Sequence, residues 1–254
     1  MPPSPREFSP PVSAVTVRGA LVIVAWVLSV FGGVAGATTP SEVDAPIAPA
    51  PLVVETPESA PLTSAPLTAI FKSADLGSQP ASPDVHHVAN WAVRTGNHEG
   101  LPFAVVDKRD GNVFVFGADG RLRGASPALL GSARGDQSVP GIGNRPLSSI
   151  LPEERTTPAG RFRASMGRGP KGEDILWVDY EGALALHRVV TSSPKERRLQ
   201  RLASNVAADR RITYGCIYVP VNFFETVVVP AFGQTQGIVY ILPELRSAQE
   251  LFGS

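Results

Sequence analysis

The sequence predicts a mainly β domain with short helices, an α+β architecture behind a segment that cannot pack. Three observations carry that expectation. Between Phe103 and Leu242, short runs rich in Val, Ile, Leu, Phe or Tyr alternate with glycine-bearing turn signals. Only two stretches of that region have a helical pattern, and both are short. Ahead of it, Thr38 to Asp84 holds nine of the 25 prolines in 47 residues with Phe71 as its one aromatic, too little apolar material to bury a core.

In chain order, the first feature is the apolar run Ala20 to Val34, within a stretch from Arg18 to Glu42 that has no charged residue between its ends. This reads as an export signal or a membrane anchor. Ala35 and Ala37 supply the small-x-small pattern of a cleavage site, while Trp26 and Phe31 lengthen the apolar stretch as an anchor would. Residues 38–84 then read as an extended, partly polyproline-like linker. The domain proper spans residues 85–246, about the size of one ordinary domain, and residues 247–254 form a tail. Inside it, Phe103 to Val106 and Val113 to Phe116 form a hairpin turned at Asp110-Gly111. Further strands are expected at Gly160 to Ser165, Ile175 to Val178, Gly182 to Val189 and Gly237 to Leu242. A helix is expected from Ser193, where Ser193 and Glu196 match a capping box and Pro194 suits the first turn. A second runs from Val221 to about Val229 and stops at Pro230.

Charge excludes one class of partner: 23 basic residues cancel 23 acidic ones, so no surplus points to nucleic acid. Cys216 is the only cysteine and therefore a free thiol in a chain that reads as exported. A thiol near its ordinary pKa needs a base to attack well. Of the four histidines, His86 and His87 sit at the linker edge and His98 in a loop, with no supporting acids, so neither a metal nor another cofactor is implied. His187 lies on a predicted strand whose alternation puts Ala183, Ala185 and His187 on one face and Leu184, Leu186 and Arg188 on the other. It is the candidate base for Cys216.

The segments TTPAGRF (Thr156 to Phe162), LALHR (Leu184 to Arg188), ITYGCI (Ile212 to Ile217) and GIVYILPE, in that order, resemble the catalytic domain of the L,D-transpeptidases. The resemblance covers Leu101 to Glu244 and rests on the family pattern His-Gly, spacer, Ser/Thr-x-Gly-Cys, aliphatic residue, Arg or Asn. It implies a β-sandwich catalytic domain of an exported cysteine enzyme that cross-links or trims peptidoglycan stem peptides. In those terms Cys216 is the nucleophile and His187 the base, and the backbone amides around Tyr214, Gly215 and Cys216 hold the oxyanion. Thr213, Arg188, Arg211 and Tyr218 become candidate substrate contacts. Stem peptides end in carboxylates, which Arg188, Arg210 or Arg211 could hold.

Three departures bear on that role. Arg188 stands where the family has glycine, Tyr218 where it has Arg or Asn, and 29 positions separate His187 from Cys216, a longer spacer than in most members. Tyr214 stands where many relatives have a second histidine. A non-catalytic relative that binds wall peptides or a partner protein fits the Arg188 and Tyr218 changes. A sortase-like enzyme also places His before Cys but needs an arginine soon after the cysteine, and Ile217 to Leu245 has neither Arg nor Lys. Papain-like peptidases place Cys before His.

Overall fold

A computed structural model describes residues 73–253. The proposed signal or anchor and most of the proposed linker lie outside the described residues. Among those described, no helix is long and apolar enough to cross a membrane.

Ten strands carry the domain: β1 (Phe103–Asp107), β2 (Asn112–Phe116), β3 (Leu122–Pro127), β4 (Leu130–Gly131), β5 (Gly160–Arg168), β6 (Asp174–Asp179), β7 (Leu184–Arg188), β8 (Arg211–Thr213), β9 (Ile217–Val219) and β10 (Gly237–Ile241). Eight form one sheet in the order β3-β2-β1-β10-β5-β6-β7-β9, and β4 pairs with β8. The domain is mainly β with short helices, as the sequence predicts. All six strands expected from the sequence are present, and the β1–β2 hairpin turns where Asp110-Gly111 requires it.

Alternation along β1 splits the core. Phe103 and Val105 point to a cluster with Phe114, Phe116 and Tyr240, covered by helix α1 (Pro83–Thr95) and helix α5 (Ala248–Phe252). Ala104 and Val106 point the other way, to a cluster that includes Val113 of β2 and Ile217 of β9. These two strands lie far apart in the sheet order yet share one core, so the sheet curls until its ends face each other.

The folded region extends past both ends of the 85–246 span. Leu76 is buried in the α1 cluster and the Asp75 amide bonds the Gly120 carbonyl, so proline content alone misplaces the boundary. At the other end, α5 buries Ala248 and Phe252. The helix expected from Ser193 forms differently. Pro194–Glu196 is a 3-10 turn, Ser193 makes no side-chain cap, and Arg197 takes a left-handed φ of 51° before helix α2 (Arg198–Leu202) starts. The helix expected to stop at Pro230 instead runs on: α3 (Val221–Phe223) passes through a π turn (Phe224–Val228) into α4 (Val229–Phe232). The wider turn accommodates a proline that lacks an amide hydrogen. His98 is buried, not a solvated loop residue; its ring nitrogens bond the carbonyls of Ala92 and Ala118. His87 Nε2 bonds the Gly253 carbonyl.

Candidate active site

Cys216 sits between β8 and β9, on a turn whose shape is set by two buried threonines. Thr213 Oγ1 donates to the Cys216 carbonyl at 2.6 Å and accepts from the Gly215 amide at 3.1 Å. Thr157 Oγ1 donates to the Gly215 carbonyl at 2.7 Å. Gly215 has φ +130°, and a Cβ there would stand 2.7 Å from the Thr156 carbonyl oxygen, so only glycine fits without displacement. With the Gly215 amide taken by Thr213, no hydrogen bond engages the amides of Tyr214 or Cys216 among the described residues.

The thiol opens into a cleft of about 100 Å³. One wall is the loop that carries Ile142, Arg145, Leu147 and Ile150; the other is the β6–β7 turn with Asp179, Gly182 and Ala183. A Cβ on Gly143 would lie 2.2 Å from the Glu181 carbonyl oxygen, which shows how closely the two walls approach. Arg145 is held in the loop by a forked pair with Glu154 at 2.8 and 2.9 Å. Tyr214 lines the cleft, 40% exposed, with the Arg155 guanidinium 4.1 Å from its ring centre.

Cys216 is half-buried. Its Sγ donates to the Ala183 carbonyl at 3.4 Å. Burial pushes the thiol above its ordinary value, and a hydrogen bond from the backbone of Ala185 only partly opposes this. A thiol that carries its proton to a carbonyl is not yet a thiolate, which differs from the activated ion pair that a Cys–His reading suggests.

His187 lies on the neighbouring strand, in parallel register with Tyr218. Cys216 precedes Tyr218 by two residues, so thiol and imidazole share a face, offset by about 7 Å along the strands. The imidazole stacks on the Tyr218 ring at 4.8 Å and 15° between planes, and no hydrogen bond joins it to Cys216 among the described residues. Burial pulls its pKa below the ordinary value; nearby Glu173 raises it and Arg198 lowers it further. His187 is therefore neutral at pH 7, the form a general base needs. The Arg198 guanidinium lies 4.9 Å from the Tyr218 ring centre, so the longer spacer before Cys216 covers this side of the site.

The three arginines next to the motifs all have partners. Arg188 faces the core side, bonded to Glu225 at 2.9 Å and to the Asp174 carbonyl at 3.0 Å, over the Phe224 ring. Arg211 pairs with Glu244 at 2.5 Å. Arg210 is buried against the carbonyls of Asp110, Gly111 and Ser204. Sequence reasoning missed Asp179 and Ala183 of the β6–β7 turn and the buried Lys108, whose connection to the site has no signature in spacing. No group of three or more His, Cys, Asp or Glu suited to a metal ion occurs among the described residues.

No protein-family profile matches the chain, and no curated protein does. Among solved structures, it is similar to an L,D-transpeptidase from Mycobacterium smegmatis, at 15% identity over 55% of this chain and 58% of that one, with a TM-score of 0.33. It is also similar to the helical cell shape determining protein Pgp2 from Campylobacter jejuni, at 14% identity over 60% of this chain and 52% of that one, with a TM-score of 0.38. A third is the catalytic domain of an E. faecium L,D-transpeptidase, at 16% identity over 55% of this chain and 95% of that one, with a TM-score of 0.29. The match thus spans little more than half the length of the first two proteins, and the solved structures that this chain resembles include L,D-transpeptidases.

Proposed function

We propose that this chain is an exported cysteine acyltransferase of the L,D-transpeptidase kind, acting on peptidoglycan stem peptides through an acyl-enzyme on Cys216. The observation that carries this reading is the presentation of the chain's only thiol in a cleft, on a glycine turn whose carbonyls are tied back and whose Tyr214 and Cys216 amides are left unpaired. In the reaction, Cys216 Sγ attacks the carbonyl ahead of the terminal residue and His187 takes the thiol proton. The tetrahedral oxygen collects its negative charge against the free amides. The C–N bond then breaks, His187 protonates the leaving amine, and an acceptor amine or water displaces the thiolate from the acyl group. For this His187 must turn from the Tyr218 ring toward the thiol, a distance within reach of an imidazole on a diagonal neighbour. Export rests on the apolar segment Ala20 to Val34.

A second reading, a non-catalytic relative that binds wall peptides or a partner protein through the same cleft, is favoured by the His187–Tyr218 stack and the upward-shifted thiol. Intact mass after incubation with a carbapenem separates the two, because its strained carbonyl needs both nucleophile and oxyanion donors and its leaving amine stays tethered. The enzyme reading expects the full drug mass on Cys216 and none on Cys216→Ala. A wild-type thiol that alkylates with iodoacetamide but takes no carbapenem selects the binding relative. An adduct without turnover of a stem tetrapeptide retains the chemistry and rejects the substrate.

A further inference from the structure

Lys108 ends its side chain in the interior, 1% exposed. Its Nζ donates to the carbonyls of Gly135 at 2.5 Å and Thr157 at 2.9 Å and to Asp136 Oδ1 at 2.9 Å, with Glu244 Oε1 at 3.8 Å. Asp136 also accepts the amides of Glu244 and Leu245. Burial raises the Asp136 carboxyl, but these bonds outweigh it and hold the group below its ordinary range. All three hydrogens of the ammonium are thereby committed, and one of them fixes the backbone of Thr157. The Thr157 hydroxyl, fully buried, both accepts the Gly131 amide at 2.9 Å and donates to the Gly215 carbonyl. A Cβ on Gly131 would sit 2.3 Å from the Arg155 carbonyl oxygen, so β4 presses directly on this segment.

We propose that Thr157, anchored from behind by the buried Lys108 ammonium, is a positioning residue that aims the Cys216 turn at the reacting carbonyl. The peptide that carries the Gly215 carbonyl also carries the Cys216 amide, because they belong to one planar unit. Pulling the oxygen back toward Thr157 therefore turns that amide hydrogen the opposite way, to the side where an oxyanion would form. Thr157 touches no reacting atom; it acts through Gly215. This rests on the acyltransferase reading for its chemistry, though not for its geometry.

The test uses Thr157→Val, which keeps the shape and removes the hydroxyl, and Thr157→Ser, which restores it. Carbapenem acylation and iodoacetamide alkylation of Cys216 are both timed by intact mass in the full chain. A released turn loses one aligned oxyanion donor, an effect on the order of a hundredfold, while alkylation needs no such donor. Acylation of Thr157→Val is expected to fall at least tenfold with alkylation undiminished, and Thr157→Ser is expected within about threefold of wild type. Equal acylation in wild type and Thr157→Val overturns the proposal, as does a parallel fall in both rates, which marks general loosening. Should wild type take no carbapenem, the acyltransferase reading fails, and alkylation alone decides the positioning role. Thr157→Val must then alkylate faster than wild type and Thr157→Ser must not, since a freed turn exposes the thiol; unchanged rates overturn it. Lys108→Met, if it folds, is expected to reproduce the Thr157→Val pattern.

Discussion

The cysteine turn and the histidine strand meet on one face of the sheet but are held to different standards. Around Cys216 the hydroxyls of Thr213 and Thr157 are buried and bonded, and the turn is closed by a glycine that no other residue replaces without displacement. Around His187 there is one aromatic stack and, among the described residues, no hydrogen bond to either ring nitrogen. The proposed nucleophile is preorganised and the proposed base is not. The residue that makes the difference is Tyr218, which stands where the resemblance calls for Arg or Asn.

The largest expected effect breaks the better-built half. Gly215→Ala puts a Cβ at 2.7 Å from a backbone oxygen at a φ that L residues rarely adopt, strain of roughly 1–3 kcal/mol for the conformation alone. The turn is expected to shift, and carbapenem acylation to fall by about a hundredfold or more as the oxyanion donors move. Timed intact-mass spectra check it, and unchanged acylation would mean that the turn does not supply those donors.

Tyr218→Asn improves the less-built half. An aromatic stack is worth about 1 kcal/mol, so releasing His187 raises the fraction of imidazole free to meet the thiol by about fivefold. Acylation is expected to speed up by that factor, and Tyr218→Phe, which keeps the ring, is expected to leave it unchanged. An equal gain in both variants would assign the effect to the Tyr218 hydroxyl and not to stacking.

These differences explain which parts of the molecule were legible in the sequence. Six of the seven strands of five or more residues and the Asp110-Gly111 hairpin announce themselves by local pattern, and so does the strand that carries His187, though among the described residues no hydrogen bond joins its ring to Cys216. Helix α1 is equally legible, yet the sequence reading ends the linker at residue 84, two residues into it, and expects no helix there. Ser82 caps it, Pro83 opens it, Val85, Val88, Ala89 and Ala92 form its buried stripe, and Gly96 closes it, but the prolines just upstream masked the pattern. The strands β4, β8 and β9 hold two or three residues each, and only their partners make them strands. The register that stacks His187 on Tyr218 and the reach of Lys108 to Thr157 join residues 31 and 49 positions apart, which no local spacing encodes.

A smaller effect follows from the thiol itself. Burial raises the Cys216 pKa and the proton is bonded to Ala183, so iodoacetamide at pH 7 is expected to react more slowly than with a small free thiol and to speed up as pH rises past the ordinary thiol range. This reverses what an activated Cys–His ion pair would give. A rate at pH 7 above that of the free thiol would mean that His187 already holds the proton, and the contrast between the two halves of the site would fail.

The smallest effect tests the histidine side through stability. Burial depresses the His187 pKa below the ordinary 6.5, with Arg198 adding to the shift and Glu173 opposing it. The unfolded chain therefore takes up a proton at a pH where the folded chain still resists it. Stability from this group is complete above the unfolded value and declines as pH falls below 6.5 through the folded one. Carboxylates titrate over part of the same range, so the informative quantity is a difference. Between pH 7 and pH 5 the melting temperature of wild type is expected to fall more steeply than that of His187→Gln, which keeps a polar side chain that cannot charge. If Tyr218 is what holds the imidazole in its buried position, Tyr218→Asn should flatten the wild-type slope toward that of His187→Gln. Parallel slopes in wild type and His187→Gln would mean that the imidazole is solvated on both sides of the transition, and the stack would then not be what restrains the base.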